Sequence, residues 1–190
     1  MVSNLDDFFQ FYQERSLYDE KHQQYNLHFY EFIHPEKPCR LYLDLEYQRN
    51  ENPHFDVENN LQNLLQLIGE VLKEFLNVEV SEKNFLILDS SNYDKFSNHI
   101  IIHTDELFPS NLALKDLVDN IVERMKNEKI GIVKNKEGQD ELFLDASVYN
   151  KNRNFRFYKS CKFGKISKLE LAENCKFYGK LWFEYFSRKI

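Results

Sequence analysis

Residues 56–76 place Leu61, Leu64, Leu65, Ile68, Leu72, Phe75 and Leu76 at helical spacing, between two segments of strand character at 40–47 and 84–89. An amphipathic helix of that length has to cover an apolar surface, and the flanking segments can supply one, so the chain reads as mixed α and β. Asp56 is placed to cap that helix. A second helical run, opened by Pro109 and Ser110, passes through Leu117, Ile121 and Met125. Further helices are expected over 4–14, with Leu5, Phe8, Phe9 and Tyr12 on one side, and over 177–188. Strand character recurs at 27–33, 98–103, 130–134, 141–146 and 153–158, and "NKEGQD" reads as a hairpin turn. With no internal repeat and no linker, residues 1–190 are expected to form one domain or a tight pair of modules.

On the strand over 40–47, "RLYLDLEY", residues two apart share a face. Asp44 and Glu46 therefore project together, and Leu41, Leu43, Leu45 and Tyr47 face the core. Two carboxylates so placed can hold a divalent cation; an amphipathic strand with an acidic solvent face has the same pattern. In "DKFSNHIIIH", residues 94–103, Lys95, Ser97 and His99 likewise share one face. A cation, a hydroxyl and an imidazole side by side suit a triphosphate, and a hydrogen-bonded core histidine is the alternative.

Charge is distributed unevenly. The formal net charge is −6, yet residues 150–168, "NKNRNFRFYKSCKFGKISK", hold seven of the 25 Lys and Arg residues and none of the 31 Asp and Glu. The seven are Lys151, Arg153, Arg156, Lys159, Lys162, Lys165 and Lys168, interleaved with Phe155, Phe157, Tyr158 and Phe163. Such a segment suits a polyanion. Asp145 precedes it at the end of an apolar strand. An acid beside concentrated positive charge, with two more acids elsewhere, is what metal-dependent phosphoryl or nucleotidyl transfer requires.

Cys39, Cys161 and Cys175 form no CxxC pair and read as free thiols. No stretch reaches the roughly 18 apolar residues of a membrane span, and the acidic N-terminus lacks the pattern of a signal peptide. An intracellular protein with no membrane partner is expected, nuclear or mitochondrial if eukaryotic.

Taken together, the motifs resemble the primase-polymerases of the archaeo-eukaryotic primase superfamily, most closely the eukaryotic PrimPol type. "LYLDLEY" matches its acid-x-acid motif, "KFSNH" its Ser-x-His motif, and "LDASVYNKNRNFRFYKSCKFGK" its acid followed by an Arg- and Lys-rich strand. The resemblance, from about Ser3 to Lys176, implies an α+β catalytic core. In it, an α/β N-terminal module packs on a C-terminal module like an RNA-recognition fold, with the active site in the cleft between them.

The resemblance also implies roles for residues. Asp44, Glu46 and Asp145 would be the catalytic carboxylates, binding two Mg or Mn ions. Lys95, Ser97, His99, Arg156 and Lys162 would hold the incoming triphosphate, with Asn154 at the nucleotide and Tyr30 below its sugar. Arg153, Lys151, Lys159 and Lys165 would contact nucleic acid. The implied activity is template-directed addition of nucleoside triphosphates, deoxynucleotides favoured, to a 3'-hydroxyl on a DNA primer-template or single strand, in replication and damage tolerance. Family members carry an upstream template-gripping helix and a C-terminal zinc-binding module that help start primers. Without matches to either, the sequence leads us to expect extension with weak priming. A non-catalytic single-strand-binding module and a metal-dependent nuclease are the alternatives.

Overall fold

The computed structural model describes residues 5–22, 27–151 and 153–179. The helix predicted over 177–188 lies outside them except at its first three positions. Among the described residues there are three α-helices, α1 (Leu5–His22), α2 (Val57–Leu76) and α3 (Leu114–Glu128). None of them is long and apolar enough to cross a membrane. The strands are β1 (Tyr30–Ile33), β2 (Leu41–Gln48), β3 (Phe85–Asp89), β4 (Lys95–Ile102), β5 (Ile132–Lys134), β6 (Asp140–Leu142), β7 (Arg153–Arg156) and β8 (Glu170–Leu171). Every pairing among them is antiparallel, which makes the fold α+β as expected.

A four-stranded sheet in the order β2-β4-β3-β8 forms the centre. One of its faces carries Leu41, Leu43, Leu45 and Tyr47 from β2 with Ile100 and Ile102 from β4, all buried. α2 contributes Leu61, Leu64, Leu67, Ile68, Val71 and Leu72 to the same continuous core, and α3 contributes Leu114, Val118, Ile121 and Met125. Asp56 caps α2 as predicted, accepting from the Asn59 N–H at 3.1 Å. The apolar face of α2 ends one turn earlier than its spacing implied. Phe75 and Leu76 stand 53% and 47% exposed, because Asn77, in the left-handed conformation, ends the helix there. α3 begins at Leu114; the Ser110 hydroxyl instead accepts the Ala113 N–H and closes the turn before it. α1 extends to His22, beyond the predicted 14.

The second layer is a ribbon of β1 and β7, two segments more than a hundred residues apart in the chain. Phe155, on its inner face, stacks on the His99 ring at a centroid distance of 4.2 Å and meets Tyr42 at 5.1 Å. α1 packs on the continuation of this ribbon through Phe8, Tyr12, Phe29 and Phe157, and the Tyr12 O–H donates to the Tyr158 carbonyl at 2.6 Å. "NKEGQD" does form the turn between β5 and β6, with the Asn135 side chain accepting two backbone N–H groups and Gly138 at φ 77°. β8 was invisible in the sequence, since two residues carry no period. No disulfide joins Cys39, Cys161 or Cys175 among the described residues.

Candidate active site

The β2–β4 register places Asp44 opposite His99, Glu46 opposite Ser97 and Gln48 opposite Lys95. Residues directly opposite in an antiparallel pair share a face. Two motifs fifty residues apart thus become one polar patch that meets the ribbon through His99 and Asp44. Lys95 Nζ reaches diagonally to Glu46 Oε2 at 2.5 Å. His99 Nε2 stands 3.8 Å from Asp44 Oδ1. Burial, then Arg156, Lys162 and Arg153, hold the His99 pKa well below its ordinary value, so the imidazole is neutral and its approach to Asp44 is a polar contact without an ion pair. Its Nδ1 is buried and has no hydrogen-bond partner among the described residues, unlike the satisfied core histidine that was the alternative.

Asp145 arrives on a segment that runs beside β2. The Glu46 N–H donates to the Phe143 carbonyl at 2.7 Å, and the Asp145 N–H donates to the Asp44 carbonyl at 2.9 Å. This places Asp145 next to Asp44 through backbone bonds. Oδ1 of Asp145 accepts the Ser147 N–H at 2.9 Å, capping a short 3₁₀ turn. The three acids repel one another: burial first, then Glu46 and Asp145, push the Asp44 carboxyl up to about 6 against the pull of Arg153 and Lys162. The carboxylates converge in charge but are not gathered on one point. Among the described residues no three acidic, histidine or cysteine side chains stand as a finished ligand set, since Glu46 is held by Lys95 and Asp145 by its turn. A trio of hard oxygen donors whose mutual repulsion a divalent cation would relieve fits Mg or Mn.

The basic segment supplies the opposite wall. Arg153 Nη2 lies 3.6 Å from Asp44 Oδ2. Arg156, only 4% exposed, donates through Nη2 to the Ser90 hydroxyl at 2.7 Å and through Nη1 to the Ser167 carbonyl at 3.3 Å. Ser90 Oγ is 3.1 Å from Ser97 Oγ, so a hydroxyl pair joins Arg156 to the Ser-x-His motif. Ser90 lies at the end of β3 and belongs to no motif; no sequence signal marks it. Phe155, which stacks on His99, was read only as part of the basic aromatic run. Tyr30 is opposite Arg156 in the ribbon and Phe32 is opposite Asn154; both aromatics are over two-fifths exposed, and Asn154 is exposed as well. Lys162 is exposed and near enough to influence both Asp44 and His99. Lys151 and Lys165 are exposed, whereas Lys159 is tied to Glu170 at 2.7 Å. Beside Glu46, Lys95 and Asp145 a groove of about 620 Å³ opens between β6 and α3, with Lys126 on its rim.

The two antiparallel layers thus set two acids on one strand, a third beside them and an Arg-rich ribbon opposite. Residues 3–173 match the family described as "C962R protein N-terminal AEP domain". The chain belongs to this AEP family, that of the archaeo-eukaryotic primases. Among its relatives are the DNA-directed primase/polymerase proteins of Danio rerio, Mus musculus and Bos taurus, 36%, 32% and 30% identical. The matched regions cover 87%, 81% and 80% of this chain and 38%, 37% and 39% of those proteins. The chain thus spans under two-fifths of the length of these curated relatives.

Proposed function

We propose that the chain is a DNA-directed primase-polymerase core, which joins a nucleoside triphosphate to the 3'-hydroxyl of a primer on a DNA template and releases pyrophosphate. The observation that carries this reading is the junction of three acids from β2 and the 143–145 segment with the Arg156–Ser90–Ser97 network and neutral His99. Relatives named DNA-directed primase/polymerase support the choice of substrates.

Asp44, Glu46 and Asp145 would hold two Mg or Mn ions. When bound, these ions lower the pKa of the attacking hydroxyl and neutralise phosphate charge. Ser97, neutral His99 and Arg156 bind the triphosphate: an uncharged imidazole donates one N–H, and Arg156 brings a fixed cation already oriented by Ser90. Lys95, paired with Glu46 in the resting site, would exchange it for a phosphate oxygen, leaving Glu46 available as a metal ligand. Arg153 stabilises charge that develops between Asp44 and the reacting phosphate. Tyr30 lies under the sugar and Asn154 at the nucleotide, while Lys151, Lys162 and Lys165 follow phosphates. A hydroxyl delivered by a duplex has an effective molarity that two free nucleotides lack, so extension exceeds priming.

Primer extension with Mn or Mg and each nucleotide class is the test. Product that depends on triphosphate, template and a free 3'-hydroxyl establishes the reading; strand cleavage, or binding without any product, overturns it.

A further inference from the structure

The outer face of the β1–β7 ribbon carries aromatic rings at every second residue. His28, Tyr30 and Phe32 are exposed and His34 is half-buried, while between them Phe29 is half-buried and Glu31 and Ile33 are buried. The Phe32 and His34 ring centroids are 6.0 Å apart. At the other end His28 meets Phe163 at 5.4 Å. Phe163 is 88% exposed, on a loop that also holds Lys162, Lys165 and Ile166 outward. The loop is ordered by its own bonds: Cys161 pairs with Lys168, the Lys165 N–H donates to the Lys162 carbonyl at 2.9 Å, and Gly164 takes a φ of 72° that a side chain would strain. Phe163 thus stands almost bare in water between two lysines, touching the His28 ring at its edge.

We propose that this face is a stacking track for the unpaired bases of a single-stranded nucleic acid, with Phe32 and Phe163 as the anchor rings on either side of Tyr30. The charge argues for that occupant. The ribbon's other strand and the loop carry no acid over 150–168, and Lys151, Lys162 and Lys165 stand exposed there, which suits a phosphate backbone. The spacing argues for a single strand: rings two residues apart on a strand lie about 6.6 Å apart, roughly twice the 3.4 Å per phosphate of a stacked duplex strand. Bases must be unpaired and splayed to meet them. Neither Phe32 nor Phe163 touches the proposed catalytic acids, so the track deepens the polymerase reading by assigning the place of the unpaired template, and it rests on that reading.

The experiment compares the affinity of the chain for a fluorescent oligothymidylate of about 16 nucleotides with that for an abasic strand of equal length. The wild type is expected to prefer the strand with bases roughly tenfold, the order of one or two stacking contacts. Phe32→Ala and Phe163→Ala should each erode that preference and leave the salt dependence of binding unchanged, and Phe163→Trp should restore it with quenching of the new indole by the oligonucleotide. Lys165→Ala should do the converse, lowering the salt slope by about one at constant base preference. Equal affinity of the wild type for both strands overturns the track and leaves the polymerase reading standing. Alanine variants that keep the full preference overturn it too, as does Phe163→Ala removing binding to phosphatidylserine vesicles alone. A wild type that binds neither strand removes the polymerase reading itself.

Discussion

The Asp145 N–H donates to the carbonyl of Asp44 at 2.9 Å, so a main-chain bond holds two carboxylates side by side that electrostatics alone would separate. The fold holds the repulsion in place, and a cation or a proton can relieve it.

Asp44→Asn removes the charge without changing the shape. The Asp44 carboxyl is raised from 3.8 to about 6 in the folded protein, so its ionised form disfavours folding. At pH 7.5, without metal, the variant should be more stable than the wild type by on the order of 2–3 kcal/mol. The folded wild type takes up its extra proton between about 6 and 3.8, so the variant's advantage is full above 6, shrinks as pH falls and is gone near pH 4. Urea denaturation of both proteins across that range checks it; a constant difference would show that Asp44 is not perturbed.

Metal should reverse the order. Mn binding requires the ionised carboxylates, so Mn-induced stabilisation of the wild type should be strong at pH 7.5 and fall by up to about tenfold in affinity per unit below pH 6. Asp44→Asn combined with Glu46→Gln should lose both this stabilisation and all primer extension. Thermal shift against Mn concentration, beside an extension assay, measures both.

Half-buried His103 titrates in the opposite sense. Burial and then Arg40 hold it at about 3, well below its ordinary 6.5, so the stability it contributes is present above 6.5 and lost as pH falls towards 3. His103→Gln should flatten the acid arm of the stability profile and leave extension at pH 7.5 within about twofold, since the residue lies away from the three acids. An unchanged acid arm would contradict the assignment.

Lys95→Ala tests the exchange of partners. The Lys95–Glu46 pair is about one-third exposed and contributes little to stability, so the fold should be unaffected. Loss of a charge-assisted phosphate contact should raise the apparent KM for nucleotide roughly tenfold or more. A KM within twofold of wild type would leave Lys95 as a partner of Glu46 only.

Gly131→Ala links packing to the site. Gly131 has φ 68° and a Cβ there would collide with the Phe143 ring. Its carbonyl accepts from the Phe143 N–H at 2.8 Å, and the Phe143 carbonyl accepts from Glu46. The variant should lose about 2–4 kcal/mol from strain and overpacking and bind Mn more weakly, by denaturation and thermal shift respectively. A variant as stable as the wild type would show that Phe143 can move aside at no cost.

What the sequence revealed followed from period two. Asp44 with Glu46, and Lys95 with Ser97 and His99, share faces because alternation along one strand is local information. Their juxtaposition is not local: it depends on a register set by the whole β2–β4 pairing. Ser90 shows the limit most clearly, since a serine after a strand has no signature and becomes informative only when Arg156, 66 positions away, bonds to it. Phe75 and Leu76 fail for a related reason, because helical period continues past the point where the surface it would cover has ended. The basic segment was legible as a polyanion site, but composition could not foretell that Arg156 would be buried or that Lys159 would be paired with Glu170.

Because β1 pairs with β7, the order of synthesis separates the two halves of the site. A ribosome that has released the chain through residue 102 has already made every strand carrying Asp44, Glu46, Lys95, Ser97 and His99, while the arginines that face them are still unmade. Contacts between residues so far apart in sequence form late and slowly. The nascent polypeptide therefore passes through a stage in which Asp44 lacks Arg153 and Ser90 lacks Arg156, and the site is completed only when the last third of the molecule folds back over the first.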